Sequence, residues 1–299
     1  MVHSVTSAGR RQRAVNSRTD RGDIPTSSTS RRVAVVGVTH SSRRSPRGRV
    51  AGEVWNAMED YARCLQERTS LRVSRLPLID CTEPAVVDRI CSLGNDIGIV
   101  LVVGMSPQNC AALVRRVADR GGPVVVTEID LTTIALAASV MSALARQGVI
   151  GRRGRVVIAH PERAPSLGPL LAECGVGSIT SWNQHDAQDF SLQRLIAHND
   201  LLVDLSSLAL VDGESERTVG IGSDPVVDAS LALPGLLESL SRHAKHRFGV
   251  PIMASSVQAL VLLTPAGRLL PDSAESLLTA AVSRYVDRAL DSHTPSFAG

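Results

Sequence analysis

The sequence predicts an α/β protein of two domains, and three observations carry that expectation. A continuously apolar run, Ile97-Gly98-Ile99-Val100-Leu101-Val102-Val103-Gly104-Met105, reads as a strand buried on both faces, as in a parallel sheet covered by helices. Strand and helix signals alternate on either side of it, which a parallel sheet requires. A second alternating series begins at Arg155 and gives way to a wholly helical end. The 299 residues, 43% hydrophobic and 20% charged, are enough for two medium cores. Aromatics make up only 2%, so Ala, Val, Leu and Ile must fill those cores.

In chain order, residues 1–31 are rich in Ser, Thr, Arg and Gly without apolar clustering and are expected to be disordered. Order is expected to begin with Val33-Ala34-Val35-Val36 as a buried strand. A loop over 39–49 leads to a helix over about 50–68, a strand over 71–79 and a short helix over 83–93. After the apolar strand, Ser106 and Pro107 supply a cap and a first-turn residue for a helix to about Arg120. A further strand is expected over 123–128, then a long helix of small and aliphatic residues over 131–147, bridging two domains. The second series gives strands over 155–159, 178–182, 201–205 and 218–221, with helices over about 165–174 and 187–197. The end is read as helices over about 225–246, 257–263 and 274–290. This divides the chain into a tail, 1–31, a first α/β domain, 32–130, and a second domain with C-terminal helices, 131–299.

Composition excludes several classes. The five cysteines, Cys64, Cys81, Cys91, Cys110 and Cys174, include no C-x-x-C pair, so neither a disulfide framework nor a structural zinc site is expected. A reducing cytoplasm is the expected compartment. No run reaches the roughly 18 apolar residues of a membrane span. Residues 1–49 carry a balance of +9 and the rest −6, against +3 for the whole chain. No aromatic residue interleaves these arginines, so the arm is read as a solvated tail and nucleic acid is not an expected partner. Only one of the 32 basic residues is a lysine, Lys245. His243 and His246, three apart, lack a nearby third ligand and are read as surface residues. No phosphate-loop or G-x-S-x-G motif occurs.

Three segments, in this order, carry a resemblance. Val33–Val36 with Met58-Glu59 is the first. The second runs from Thr127-Glu128-Ile129-Asp130 through a small-residue helix to Gly151-Arg152-Arg153-Gly154 and the strand at Arg155. The third is Ser223-Asp224 with Leu231-Ala232-Leu233-Pro234-Gly235. Together they resemble the malic enzyme family across most of residues 32–290. The resemblance implies a two-domain malic-enzyme-like architecture, with a parallel-sheet first domain and a Rossmann-like second domain. It also implies oxidative decarboxylation of malate with NAD(P) and a divalent metal, and a homodimer.

The residues for that chemistry are mostly replaced. By the resemblance, Tyr61 stands where the family has its catalytic lysine, after Met58-Glu59-Asp60. Val102 and Val103 stand at two metal-ligand positions, and valine offers no oxygen to a hard cation. Glu128 stands at the third, and with Asp130 it is equally readable as a loop pair or the cap of the bridging helix. The loop His160-Pro161-Glu162-Arg163-Ala164-Pro165 stands where a glycine-rich turn would let the backbone approach a pyrophosphate. It has no glycine, two prolines and a carboxylate. Trp182-Asn183 replaces the ribose-binding acid, and Asp228-Ala229 stands near the substrate asparagine pair.

No metal site is therefore expected, and NAD(P) is implied by the resemblance alone, through the degenerate loop His160, Pro161, Glu162 and Arg163. The candidate catalytic residues are Tyr61, Glu128, Asp130 and Asp224, with His160 beside the same cleft. The leading expectation is a malic-enzyme-like protein that has lost malate oxidation and serves a non-catalytic or repurposed role, with a small-molecule ligand between its domains. Two alternatives stand beside it: an NAD(P)-dependent oxidoreductase with a remodelled pocket, and a metal-free lyase using the cleft residues.

Overall fold

Strands in a parallel sheet need both faces covered, and each half of this chain meets that need with helices that pack between or outside two sheets. The structure is a computed structural model describing residues 32–39, 51–94, 96–183, 185, 191–206, 217–222, 224–243 and 247–292. The expected disorder of 1–31, most of the expected loop at 39–49, Ser223, Lys245 and His246 lie outside the described residues.

The first sheet is built from β1 (Arg32–Thr39), β2 (Arg72–Ile79), β3 (Ile97–Val103) and β4 (Val124–Thr127), all parallel, in the order β2-β1-β3-β4. The buried residues of the central strands β1 and β3 are apolar apart from Thr39 at the end of β1, whereas the edge strand β2 carries Arg72, Ser74 and Arg75. Side chains alternate between faces. Val33, Val35, Ile99, Leu101, Val103 and Val126 join one core. Ala34, Val36, Val38, Val100, Val102 and Val125 join another.

Helix α1 (Ala51–Arg68) lies on the first face, burying Val54, Ala57, Met58, Tyr61, Ala62 and Leu65. Helices α2 (Glu83–Cys91) and α3 (Pro107–Asp119) cover the second. Ser106 caps α3 as expected, its hydroxyl accepting the Asn109 N–H at 3.3 Å.

The bridging helix α4 (Glu128–Arg146) starts three residues before its expected first residue, Leu131. Thr127 is its N-cap. Thr127 Oγ1 accepts the Asp130 N–H at 3.2 Å, and the Asp130 carboxylate accepts the Thr127 N–H at 2.9 Å. This reciprocal capping satisfies two donors at once, so the chain passes from strand to helix with no loop. Fifteen of the 19 residues of α4 are buried. It is apolar enough for a membrane span by composition, but 83% of that window is inside the protein. Its core runs from the first sheet into the second.

The second sheet has β5 (Arg155–Ala159), β6 (Ser178–Trp182), β7 (Leu201–Asp204) and β8 (Thr218–Gly220), all parallel, in the order β6-β5-β7-β8. Val156, Ile158, Leu201 and Val203 share the core of α4 together with Leu167, Leu170 and Leu171 of α5 (Leu167–Glu173). On the other face Val157, Ala159, Trp182 and Leu202 pack against α6 (Leu192–Ala197).

Two expectations at the helical end are corrected. The single helix expected over 225–246 is broken into α7 (Pro225–Ser230) and α8 (Leu233–Arg242). Pro234 sits in the first turn of α8, the place where a missing N–H costs least. The break also brings Gly235 against α10 (Leu278–Ser292), where an added Cβ would lie 2.7 Å from Val282 Cβ. Helix α9 (Val250–Leu263) starts at Val250, not 257, with Pro251 in its first turn. Arg242 of α8 ties the bundle together through Asp287 of α10 at 2.7 Å.

Candidate functional site

Tyr61 and Glu128 come from α1 and α4, 67 residues apart, and meet above the carboxyl ends of β3 and β4. Tyr61 lies on the buried face of α1 and is 0% exposed; Glu128, the first residue of α4, is 2% exposed. The Tyr61 hydroxyl donates to Glu128 Oε1 at 3.1 Å. A carboxylate at this helix end also meets the positive end of the backbone dipole. Val102 pairs in register with Thr127, next to Glu128, and Val102 and Val103 are 1% and 0% exposed.

The remaining catalytic candidates do not join this pair into one constellation. Asp130, expected as half of a loop pair or cap, is bound into the Thr127 capping box, where it also accepts the Thr127 hydroxyl at 2.7 Å. Asp224 caps α7, its Oδ1 accepting the N–H groups of Val226 and Val227 at 3.1 and 3.2 Å. One turn on, Asp228 is half-buried, and burial followed by the charge of Asp224 raises its carboxyl above the usual 3.8.

At the second sheet, His160 follows β5 with a left-handed backbone, φ 60°, a conformation that favours glycine. Its N–H donates to the Trp182 carbonyl at 3.0 Å, and its ring meets Trp182 edge-to-face at 6.0 Å. The ring pair therefore occupies the carboxyl ends of β5 and β6. Nδ1 of His160 lies 3.3 Å from the exposed Glu162 carboxylate. Pro161, Glu162 and Arg163 form a 3-10 turn before α5, which has seven residues and no side-chain cap at Ser166.

These residues do not fit the groups that malic-enzyme chemistry uses. A divalent metal needs several oxygens; of the three positions that the resemblance implies for it, two are buried valines and the third, Glu128, is hydrogen-bonded to a phenol. A pyrophosphate needs backbone N–H groups at close approach, and here stand a ring pair, a proline and a carboxylate. Among the described residues, no group of three His, Cys, Asp or Glu is placed to hold a metal ion.

A second feature lies on the far side of the first turn of α4. A cavity of about 570 Å³ is lined by α3, the edge strand β4, Ile129 and Asp130 of α4, Pro165-Ser166, residues 247–250 and Met253. Sequence reasoning missed it. Its cations, Arg115 and Arg247, stand on separate segments and carry no motif, so each reads alone as a solvated charge.

No protein-family model and no curated protein matches this chain. Solved structures do. The NAD-dependent malic enzyme of Thermotoga maritima superposes with a TM-score of 0.71 at 13% identity, over 95% of this chain and 96% of that one. The malic enzyme of Pyrococcus horikoshii gives 0.72 at 11%, over 89% and 78%. That of Entamoeba histolytica gives 0.70 at 12%, over 86% and 69%. The chain has the malic-enzyme fold, in an α/β architecture of two parallel sheets with C-terminal helices. At these identities the likeness is one of fold.

Proposed function

We propose that this protein uses the malic-enzyme fold for a non-catalytic or repurposed role and does not oxidise malate. One observation carries the reading: Tyr61 and Glu128, at positions where the resemblance implies a base and a metal ligand, are hydrogen-bonded to each other and sealed from solvent, and the buried Val102 and Val103 stand at the other two metal positions it implies. A phenol bonded to a buried carboxylate cannot replace an ammonium, and two valines cannot polarise a developing oxyanion.

Magnitudes favour loss over weakening. A general acid or base contributes about 10²–10⁴ in rate, and metal polarisation several kcal/mol more. The His160–Trp182 pair supports the same conclusion for the nicotinamide cofactor, because it occupies the strand ends that a dinucleotide would approach. Among the described residues, no contact favours the remodelled oxidoreductase or the lyase in its place.

The test is turnover. Purified protein given malate, Mn²⁺ and NAD⁺ or NADP⁺ is expected to form no reduced cofactor above a protein-free blank. Malate-dependent reduction that disappears in Glu128→Gln would overturn the proposal.

A further inference from the structure

The cavity beside α4 combines an apolar interior with a cationic rim. Val125 and Met253, 4% and 2% exposed, belong to its lining, as do the half-buried Val114 and Phe248. At the exposed rim stand Arg115, Arg247 and Asp119, none of them in an ion pair among the described residues. Asp130, the other carboxylate of the lining, already accepts the Thr127 N–H and hydroxyl. The rim thus offers two unpaired guanidiniums against one unpaired carboxylate.

This pattern selects a chemistry. Apolar walls gain when hydrocarbon replaces water. A guanidinium engages a carboxylate through two parallel hydrogen bonds, stronger than neutral ones. A compact dicarboxylate would have to bury its second charge against Val125 and Met253, which is costly without a partner. An alkylammonium would meet the arginines with like charge. The volume is within the usual range for small-molecule sites.

We propose that this cavity binds a small amphipathic monocarboxylate, with its hydrocarbon among Val125, Phe248 and Met253 and its carboxylate at Arg115 and Arg247. The site is separate from the filled centre. Glu128 bonds to Tyr61, whereas its neighbours Ile129 and Asp130 line the cavity. The inference therefore stands whether or not malate is oxidised.

Calorimetric titration of the full chain with octanoate, octan-1-ol and octylamine tests it. Octanoate is expected to saturate one site, with the alcohol and the amine at least about tenfold weaker, the ratio that one charge-assisted contact supplies. Arg115→Gln with Arg247→Gln should bring octanoate down to the alcohol's affinity and leave the alcohol unchanged. Gly249→Trp should abolish octanoate binding with Tm unaltered. Gly249 lines the cavity with an extended backbone, φ −169°, and an added Cβ there meets nothing within 4 Å. Absence of saturable octanoate binding, equal affinity for the alcohol, or full binding by folded Gly249→Trp would each overturn the proposal.

Discussion

The two sides of the first turn of α4 treat polar groups in opposite ways. On one side Glu128 is buried and hydrogen-bonded to an equally buried tyrosine; on the other, Asp130 and Ile129 border a cavity with exposed cations at its rim. A filled site contributes to stability, because a buried polar group left unsatisfied is costly. An open site leaves charges in solvent, where they contribute little. The contrast separates a polar pair closed into the core from a cavity that is open to solvent.

Substitutions can break that contrast. Tyr61→Ala should lose about 3–5 kcal/mol in urea denaturation, the range for removing a buried aromatic. Tyr61→Phe keeps the ring and should lose about 1–3 kcal/mol by removing the donor to Glu128. If Tyr61→Phe were neutral, the hydrogen bond would not be what holds the centre closed. Thr127→Ala removes one half of the capping box and should cost about 0.5–2 kcal/mol.

Asp228→Asn should act in the other direction. The folded-state pKa of Asp228 is raised above 3.8, so the native state binds its proton more tightly than the unfolded chain. Its ionised form therefore destabilises the fold, and stability falls as pH rises through the unfolded and then the folded pKa. The variant should be more stable than the parent at neutral pH, and the gain should vanish below pH 3.8. A gain that persisted in acid would point to packing instead. On the open side, Arg115→Gln with Arg247→Gln should change stability by no more than about 0.5 kcal/mol.

Sequence pattern revealed the framework because most of it rests on local signals. The buried run at Ile97–Val103, the Ser106-Pro107 start and the four strands of the second sheet are written in neighbouring residues. The breaks were harder to read. Apolar spacing continues across Leu231-Ala232 and masks the break that Pro234 marks in the first turn of α8, whereas the close approach of Gly235 to Val282 is a tertiary contact. Helix α9 has no side-chain cap to announce Val250. Thr127 with Asp130 three residues on is a local capping signal, and Glu128 and Asp130 in the first turn read equally as a carboxylate pair.

The site was legible as substitutions and not as geometry. Tyr61 and Glu128 were each singled out, but only folding reveals that they satisfy one another. Likewise His160 and Trp182 read as two departures from a cofactor site, and the structure joins them as one ring pair. The cavity had no sequence signal, because Arg115 and Arg247 become neighbours of one space only when α3 and the start of α9 are placed together.

The proposed function rests on two buried valines and a hydrogen-bonded carboxylate standing at the positions that the resemblance implies for a metal. Mn²⁺ titration followed by electron paramagnetic resonance addresses this directly, since free ion gives a strong signal that binding suppresses. The expected signal rises with added metal as it does in buffer alone. A saturable loss of free-ion signal that Glu128→Gln abolishes would contradict it.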